Sequence, residues 1–161
     1  MSVETVRAYL DQWGRGKDVR EFTVSSATVE LAAQALGVAP ERIAKTLSFL
    51  TPEGCILIVA AGDARIDNPR FKAAFGCKAK MPSHDEVAAL TGHGVGGVCP
   101  FAVNDGVNIY LDESLKRFDT VFPAGGSPNS AVELTCEELE QYSRAAKWVD
   151  VCKGWRPEEP A

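Results

Sequence analysis

The seven residues 55–61, Cys-Ile-Leu-Ile-Val-Ala-Ala, constrain the fold more than any other part of the chain. A strand with one face in water alternates apolar and polar side chains, whereas this segment is apolar on both faces, as in the middle of a covered sheet. A turn at 51–54 separates it from residues 45–50, which alternate as a strand. We therefore predict a hairpin whose second strand lies centrally in a sheet.

Helix signals flank the predicted hairpin. Val3, Val6 and Leu10 recur at helical spacing behind Ser2, a predicted N-cap. A helix over 29–36 follows Ser25 and Ser26, which could cap it, and Gly37 ends it. Further helices are predicted after Asp67 and after two capping boxes, at 83–86 and 135–138.

Short strand patterns occupy the remaining chain, at 22–24, 107–111, 120–122, 130–134 and 147–151. Strands and helices do not alternate regularly, and no linker or internal repeat is visible. We therefore predict an α+β fold in a single domain over residues 1–161, with a mixed, largely antiparallel sheet flanked by helices. The residues from Pro157 onward are predicted to form a loose tail.

Composition excludes several classes of protein. The chain of 161 residues is 45% apolar and 24% charged, and it has no run of roughly 18 apolar residues that could span a membrane. Its N-terminus lacks the pattern of a signal peptide, so we expect a cytoplasmic protein without a membrane partner. The net charge of −5 argues against DNA binding by general phosphate neutralisation, but a local basic pocket could still hold one end of an RNA.

Metal and cofactor sites are also not expected. The five cysteines contain no C-x-x-C pair, and there are only two histidines, which disfavours a disulfide framework and a zinc site. The phosphate-binding motif G-x-x-x-x-G-K is absent, which disfavours a nucleotide cofactor. We therefore predict no metal and no cofactor.

Two features have candidate functions beyond packing. Residues 92–101, Gly-His-Gly-Val-Gly-Gly-Val-Cys-Pro-Phe, form either a tight connection or a loop whose bare N–H groups converge on a ligand or an oxyanion. Lys45 shares a strand face with Leu47 and Phe49, so its ammonium either reaches solvent, finds a partner or binds an anion.

Three segments taken together resemble the YbaK/EbsC family of aminoacyl-tRNA editing proteins, the free-standing relatives of the editing domain in bacterial prolyl-tRNA synthetases. They are Ile-Ala-Lys-Thr-Leu at 43–47, Gly-Gly-Val-Cys-Pro at 96–100, and the Gly-Gly turn at 125–126 with Ala-Val-Glu-Leu after it. The resemblance covers roughly residues 20–150. It implies a barrel-like mixed sheet and hydrolysis of the ester between a wrong amino acid and tRNA.

The resemblance also implies site residues. Lys45 matches the family lysine expected to hold the acceptor end of the tRNA. Gly96 and Pro100 match the family loop whose backbone amides approach the aminoacyl carbonyl, and this loop includes Gly97, Val98 and Cys99. Further candidates for contacting the substrate are Ser25, Ser26, Gly125, Gly126 and Asn129, although capping is the ordinary role of such polar residues.

Cys99 stands where several relatives carry serine or threonine, and it could tune the pocket, pack, or act as a nucleophile with His93 as its base. The favoured mechanism is instead attack by water, with the tRNA's terminal hydroxyl positioning it and the loop amides stabilising the oxyanion. The main hypothesis is therefore a trans-editing deacylase for a small amino acid, with tRNA(Pro) and a synthetase as conceivable partners. The alternatives are a non-catalytic module that binds the acceptor end or a synthetase, and a cysteine hydrolase.

Overall fold

The computed structural model describes residues 3–94 and 96–156; the predicted cap Ser2 and the predicted tail lie outside them. Its helices are α1 (Val3–Leu10), α2 (Val29–Leu36), α3 (Asn68–Phe75), α4 (His84–Thr91) and α5 (Cys136–Ser143). Its strands are β1 (Arg20–Glu21), β2 (Ile43–Thr51), β3 (Gly54–Ala61), β4 (Arg65–Ile66), β5 (Asn108–Asp112), β6 (Phe122–Pro123), β7 (Ser130–Ala131), β8 (Lys147–Val149) and β9 (Cys152–Lys153).

The predicted hairpin forms the middle of the main sheet. In the described part of the chain this sheet has the order β6-β2-β3-β5-β8, and β2 and β3 pair antiparallel from Ala44 opposite Ala61 to Thr51 opposite Gly54. All of β3 after Gly54 is buried. The apolar run was therefore correctly predicted as a central strand, since both of its faces are removed from water.

The sheet is mixed, as predicted, but less antiparallel than expected. Within the described residues, β2–β6, β3–β5 and β5–β8 are parallel pairs. The chain crosses over from β3 to β5 through α3 and α4, and from β5 to β8 through α5, so each strand returns in the same direction. The smaller ladders, β1–β7 and β4–β9, are antiparallel.

The helices cover the sheet with apolar side chains. In α1, Val3, Val6 and Leu10 are buried in the main core. In α3, the ring of Phe71 lies 5.0 Å from that of Phe49 on β2. Helix α2 places Ala32 and Ala33 in a smaller apolar cluster with Ile43 and Phe122. The edge formed by β2 and β6 is therefore covered by α2, beside the candidate site.

Several predicted boundaries were wrong. The first strand is Arg20–Glu21 and not 22–24, and the strands near 120 and 130 are two residues long. Helix α2 is capped by Thr28, whose side chain accepts a hydrogen bond from the Leu31 amide, and not by Ser25 or Ser26. The two capping boxes, starting at Ser83 and Thr135, were predicted correctly.

Candidate functional site

A cavity of about 320 Å³ lies beside β2, between the first turns of α2 and α4. The rest of its wall comes from the glycine loop, from β6 and the segment after it, and from β7. Its lining residues are Ser26, Ala27, Thr28, Val29, Ala32, Ile43, Ala44, Lys45, Thr46, Leu47, Ser48, Met81, Pro82, His84, Val87, Gly96, Val98, Phe122, Ala124, Ser130 and Ala131.

The cavity brings together four of the predicted site residues: Ser26, Lys45, Gly96 and Val98. They come from the segment before α2, from β2 and from the glycine loop, which are far apart in sequence. The other predicted residues do not line it: they are Ser25, Gly97, Cys99, Pro100, Gly125, Gly126 and Asn129. Several of these residues instead hold the segments of the cavity wall in position.

The Lys45 ammonium donates hydrogen bonds to backbone carbonyls beyond the end of β3. The acceptors are the Ala64 oxygen and the Gly62 oxygen, the latter at 3.4 Å from Nζ. Burial lowers the pKa of Lys45, and the positive charge of Arg65 acts in the same direction, against the carboxylates of Asp63 and Glu30. The lysine thus has the partners that its place on an apolar strand face requires, and it is partly buried at the cavity wall.

Two residues of the glycine loop line the cavity and carry amides without an acceptor in the described part of the chain. Gly96 has φ +89°, a left-handed conformation that favours glycine. The Gly97 amide is already used, because it donates to the Gly94 carbonyl at 3.0 Å and closes a turn. Among the described residues, the amides of Gly96 and Val98 have no hydrogen-bond acceptor, and both residues line the cavity. Of the amides in this loop, those of Gly96 and Val98 therefore combine a place in the cavity wall with a free donor among the described residues, whereas the Gly97 amide does not.

The two glycine loops touch each other. A Cβ atom on Gly97 would lie 3.0 Å from both the Gly126 carbonyl oxygen and the Ser127 Cα atom. Gly126 itself has φ +100°. Gly125 is equally confined, since a Cβ there would lie 2.6 Å from the Val19 side chain. These glycines are needed for close approach, and they position the loop without lining the cavity.

The polar candidates Ser25, Ser26 and Asn129 connect the segment before α2 to the second glycine loop. The Ser26 amide donates to the Pro128 carbonyl at 2.6 Å, and both serine hydroxyls lie within 3.4 Å of the same oxygen. The Asn129 side-chain amide donates to the Phe22 carbonyl at 2.8 Å. Of the three, only Ser26 also reaches the cavity.

Cys99 and His93 form a buried cluster under the glycine loop, and each is fully inaccessible to solvent. His93 Nε2 lies 2.7 Å from the Phe101 carbonyl oxygen, so this nitrogen carries the proton and donates it. The Cys99 sulfur lies 3.6 Å from that protonated nitrogen, which cannot accept the thiol proton. Burial raises the pKa of Cys99 to about 12. This environment is the opposite of what activates a nucleophilic cysteine.

Several residues of the cavity wall were not predicted from the sequence. The Thr46 hydroxyl oxygen is buried without a hydrogen-bond partner, and Thr46 lines the cavity next to Lys45. His84 and Met81 are exposed on the α4 side of the opening, and Met81 is 61% exposed. A threonine between Lys45 and Leu47 was a usable signal, because a hydroxyl in a covered strand needs a partner.

The described residues hold no group of three or more histidine, cysteine, aspartate or glutamate side chains arranged to bind a metal ion. Over the same residues, no helix has the length and apolar character needed to cross a bilayer.

Comparison with known proteins agrees with the fold. The sequence model of the aminoacyl-tRNA editing domain matches residues 23–142, which include every segment of the cavity wall. The chain therefore belongs to the aminoacyl-tRNA editing domain family.

Individual relatives cover most of the chain. YwhH of Bacillus subtilis, a protein described as uncharacterized, is 57% identical over 96% of this chain and 99% of its own length. EbsC of Enterococcus faecalis, described as a candidate Cys-tRNA(Pro)/Cys-tRNA(Cys) deacylase, is 26% identical over 70% of each chain. The crystal structure of a candidate trans-editing enzyme for prolyl-tRNA synthetase superposes with a TM-score of 0.85 and 32% identity, covering 94% of this chain and 97% of the other.

Proposed function

We propose that this protein is a trans-editing deacylase that hydrolyses the ester between a wrong amino acid and tRNA. The observation that carries the proposal is the meeting of two unpaired amides, Gly96 and Val98, with Lys45 in one cavity of an aminoacyl-tRNA editing fold. A preorganised pair of N–H donors suits the negative charge that develops on an ester carbonyl during hydrolysis.

In the proposed reaction, a water oxygen attacks the aminoacyl carbonyl and the carbonyl oxygen becomes an oxyanion. The amides of Gly96 and Val98 donate to that oxyanion. The ester bond to the ribose then breaks, the ribose oxygen takes a proton derived from the water, and the free amino acid leaves. The terminal hydroxyl of the tRNA positions the water, so the protein needs no side-chain base. This agrees with the cavity wall formed by the described residues, whose single histidine, His84, is exposed at the rim.

The proposed substrate carries a small amino acid, with tRNA(Pro) as the first candidate, and a synthetase is the proposed partner. The support comes from the structural neighbour described in connection with prolyl-tRNA synthetase, and from a cavity of about 320 Å³ that must also admit part of the terminal nucleotide. A change of one methyl group in such a pocket alters discrimination by about 1–3 kcal/mol. The amino acid must therefore be identified by experiment.

The test is a deacylation panel with tRNAs charged with alanine, cysteine, serine and other small amino acids. We expect ester loss on at least one of them, and much slower loss with Lys45→Ala. Lys17→Ala is the control, because Lys17 is exposed and does not line the cavity. Thermal unfolding of each variant checks the fold, since Lys45 also holds two carbonyls. No turnover on any tRNA would refute the proposal, and binding without turnover would favour a non-catalytic acceptor-end module.

A further inference from the structure

Two cations lie directly opposite each other on the small β4–β9 ladder. Arg65 pairs with Lys153 in its register, and both residues are exposed, whereas their neighbours Ile66 and Cys152 face inward. Directly opposed residues on one face of an antiparallel pair have neighbouring side chains, and like charges there are destabilising. An anion bound between the two side chains would offset the repulsion.

The nearby carboxylates do not supply that anion. Asp63 and Asp67, the two acidic residues closest in sequence to Arg65, form ion pairs with Arg117 and Arg70. Asp150, the closest to Lys153, is paired with arginines. Over the described residues, neither Arg65 nor Lys153 takes part in a salt bridge or a side-chain hydrogen bond.

The pair also adjoins the candidate site. Lys45 donates to the Ala64 carbonyl, which belongs to the residue just before Arg65. Cys152, the residue before Lys153, is buried, and the nearby Lys45 ammonium opposes the rise in the pKa of its thiol that burial causes. Lys45 at the cavity wall is thus close to the β4–β9 ladder, which carries two exposed cations on a protein whose net charge is −5.

We propose that Arg65 and Lys153 form a phosphate-binding surface for the single-stranded 3′ end of tRNA as it enters the cavity. This rests on the proposed function only in the identity of the RNA. Lys45 lies at the end of the RNA that carries the ester, and Arg65 and Lys153 hold backbone phosphates of the preceding nucleotides. Local cations of this kind allow an acidic protein to bind one end of an RNA without coating the rest of it.

The experiment measures binding of uncharged bacterial tRNA(Pro) by fluorescence anisotropy across a salt series. Arg65→Gln/Lys153→Gln is compared with Lys17→Gln/Lys147→Gln, which makes the same change in net charge at exposed residues away from the cavity. Loss of two phosphate contacts to a single strand lowers the salt slope by roughly 1.4, which weakens binding roughly 10- to 30-fold at 0.1 M salt. The control double variant should keep the slope of the wild type.

A second probe is the same tRNA with its single-stranded 3′ nucleotides removed, on which the wild type and Arg65→Gln/Lys153→Gln should bind alike. Equal binding by both double variants, no binding by the wild type, or a defect that persists on the trimmed tRNA would each overturn the proposal. A defect seen only in binding to a synthetase would also overturn it. If tRNA binding depends on Arg65 and Lys153 but no charged tRNA is hydrolysed, the proposed function fails and the phosphate-binding surface stands.

Discussion

Gly97 lies so close to Gly126 that a Cβ atom on Gly97 would stand 3.0 Å from the Gly126 carbonyl oxygen. The obstructing atoms belong to the backbone, so they cannot rotate away as a side chain would. The contact joins the two glycine loops, and it fixes the loop whose neighbouring residues, Gly96 and Val98, line the cavity. The distance between the loops is therefore part of the geometry proposed for the oxyanion.

Gly97→Ala is expected to separate the loops and slow deacylation at least tenfold. Forcing a methyl group into such a contact costs about 1–3 kcal/mol of unfolding free energy. Gly94→Ala is the matched control, because a Cβ there meets nothing within 4 Å and neither glycine has a left-handed φ. Urea unfolding and deacylation rates measure both effects. Equal rates for the two variants would show that the contact does not position the amides.

His93 is expected to make the stability depend on pH. Burial lowers its pKa, while the hydrogen bond to the Phe101 carbonyl opposes the shift, and its Nδ1 is buried without a partner. The unfolded chain therefore binds this proton more tightly than the folded protein. The free energy of unfolding should be highest above about pH 6.5. It should fall as the pH drops from there through the lowered pKa of the folded state.

His93→Gln should remove that part of the pH dependence, and urea unfolding at pH 5 and pH 7.5 measures it. His84→Gln is the control, since His84 is exposed. If wild type and His93→Gln lose stability in parallel on acidification, His93 is not the group that titrates. An increase in activity as His93 becomes protonated would likewise be inconsistent with a neutral imidazole holding the loop.

Local signals predicted most of the helices, but contacts distant in sequence decided the site. The capping boxes at Ser83 and Thr135 and the left-handed Gly37 lie within one turn of the helices they bound, so the sequence showed them directly. The partners of Lys45 were not visible, because Ala64 is brought to it only by the hairpin.

The same limit applies to the caps and the parallel strands. Ser26 was a plausible cap for α2, but its amide and hydroxyl are directed at Pro128, about a hundred residues away, and Thr28 takes the cap. The parallel pairing of β3 with β5 depends on the crossover through α3 and α4, whose direction no local pattern records. Membership of a family could suggest Gly96 as a site residue, but not that the Gly97 amide closes a turn.

Cys99 is expected to be dispensable for chemistry. Its thiol has a pKa raised to about 12 by burial and does not line the cavity, so the fraction of thiolate at neutral pH is negligible. Cys99→Ser and Cys99→Ala should retain at least a third of the wild-type rate if they fold. In the native protein, iodoacetamide should modify the partly exposed Cys77 and leave Cys99 unmodified, as measured by peptide mass spectrometry. Abolished turnover in both variants with intact folding would restore the cysteine-hydrolase hypothesis.

Thr46→Val is expected to move stability and activity in opposite directions. The Thr46 hydroxyl is buried at the cavity without a partner, and a group in that state costs about 1–3 kcal/mol of folding free energy. Valine has nearly the same shape, so the variant should unfold at higher urea concentration. If the hydroxyl instead finds its partner in the bound substrate, the same change should lower kcat/KM. Thr51→Val is the matched control on β2, because the Thr51 hydroxyl already donates to the Gly54 carbonyl at 2.8 Å and lies outside the cavity. That control should lose stability slightly and keep its activity, whereas a Thr46→Val protein that is more stable and equally active would show that the hydroxyl does not contact the substrate.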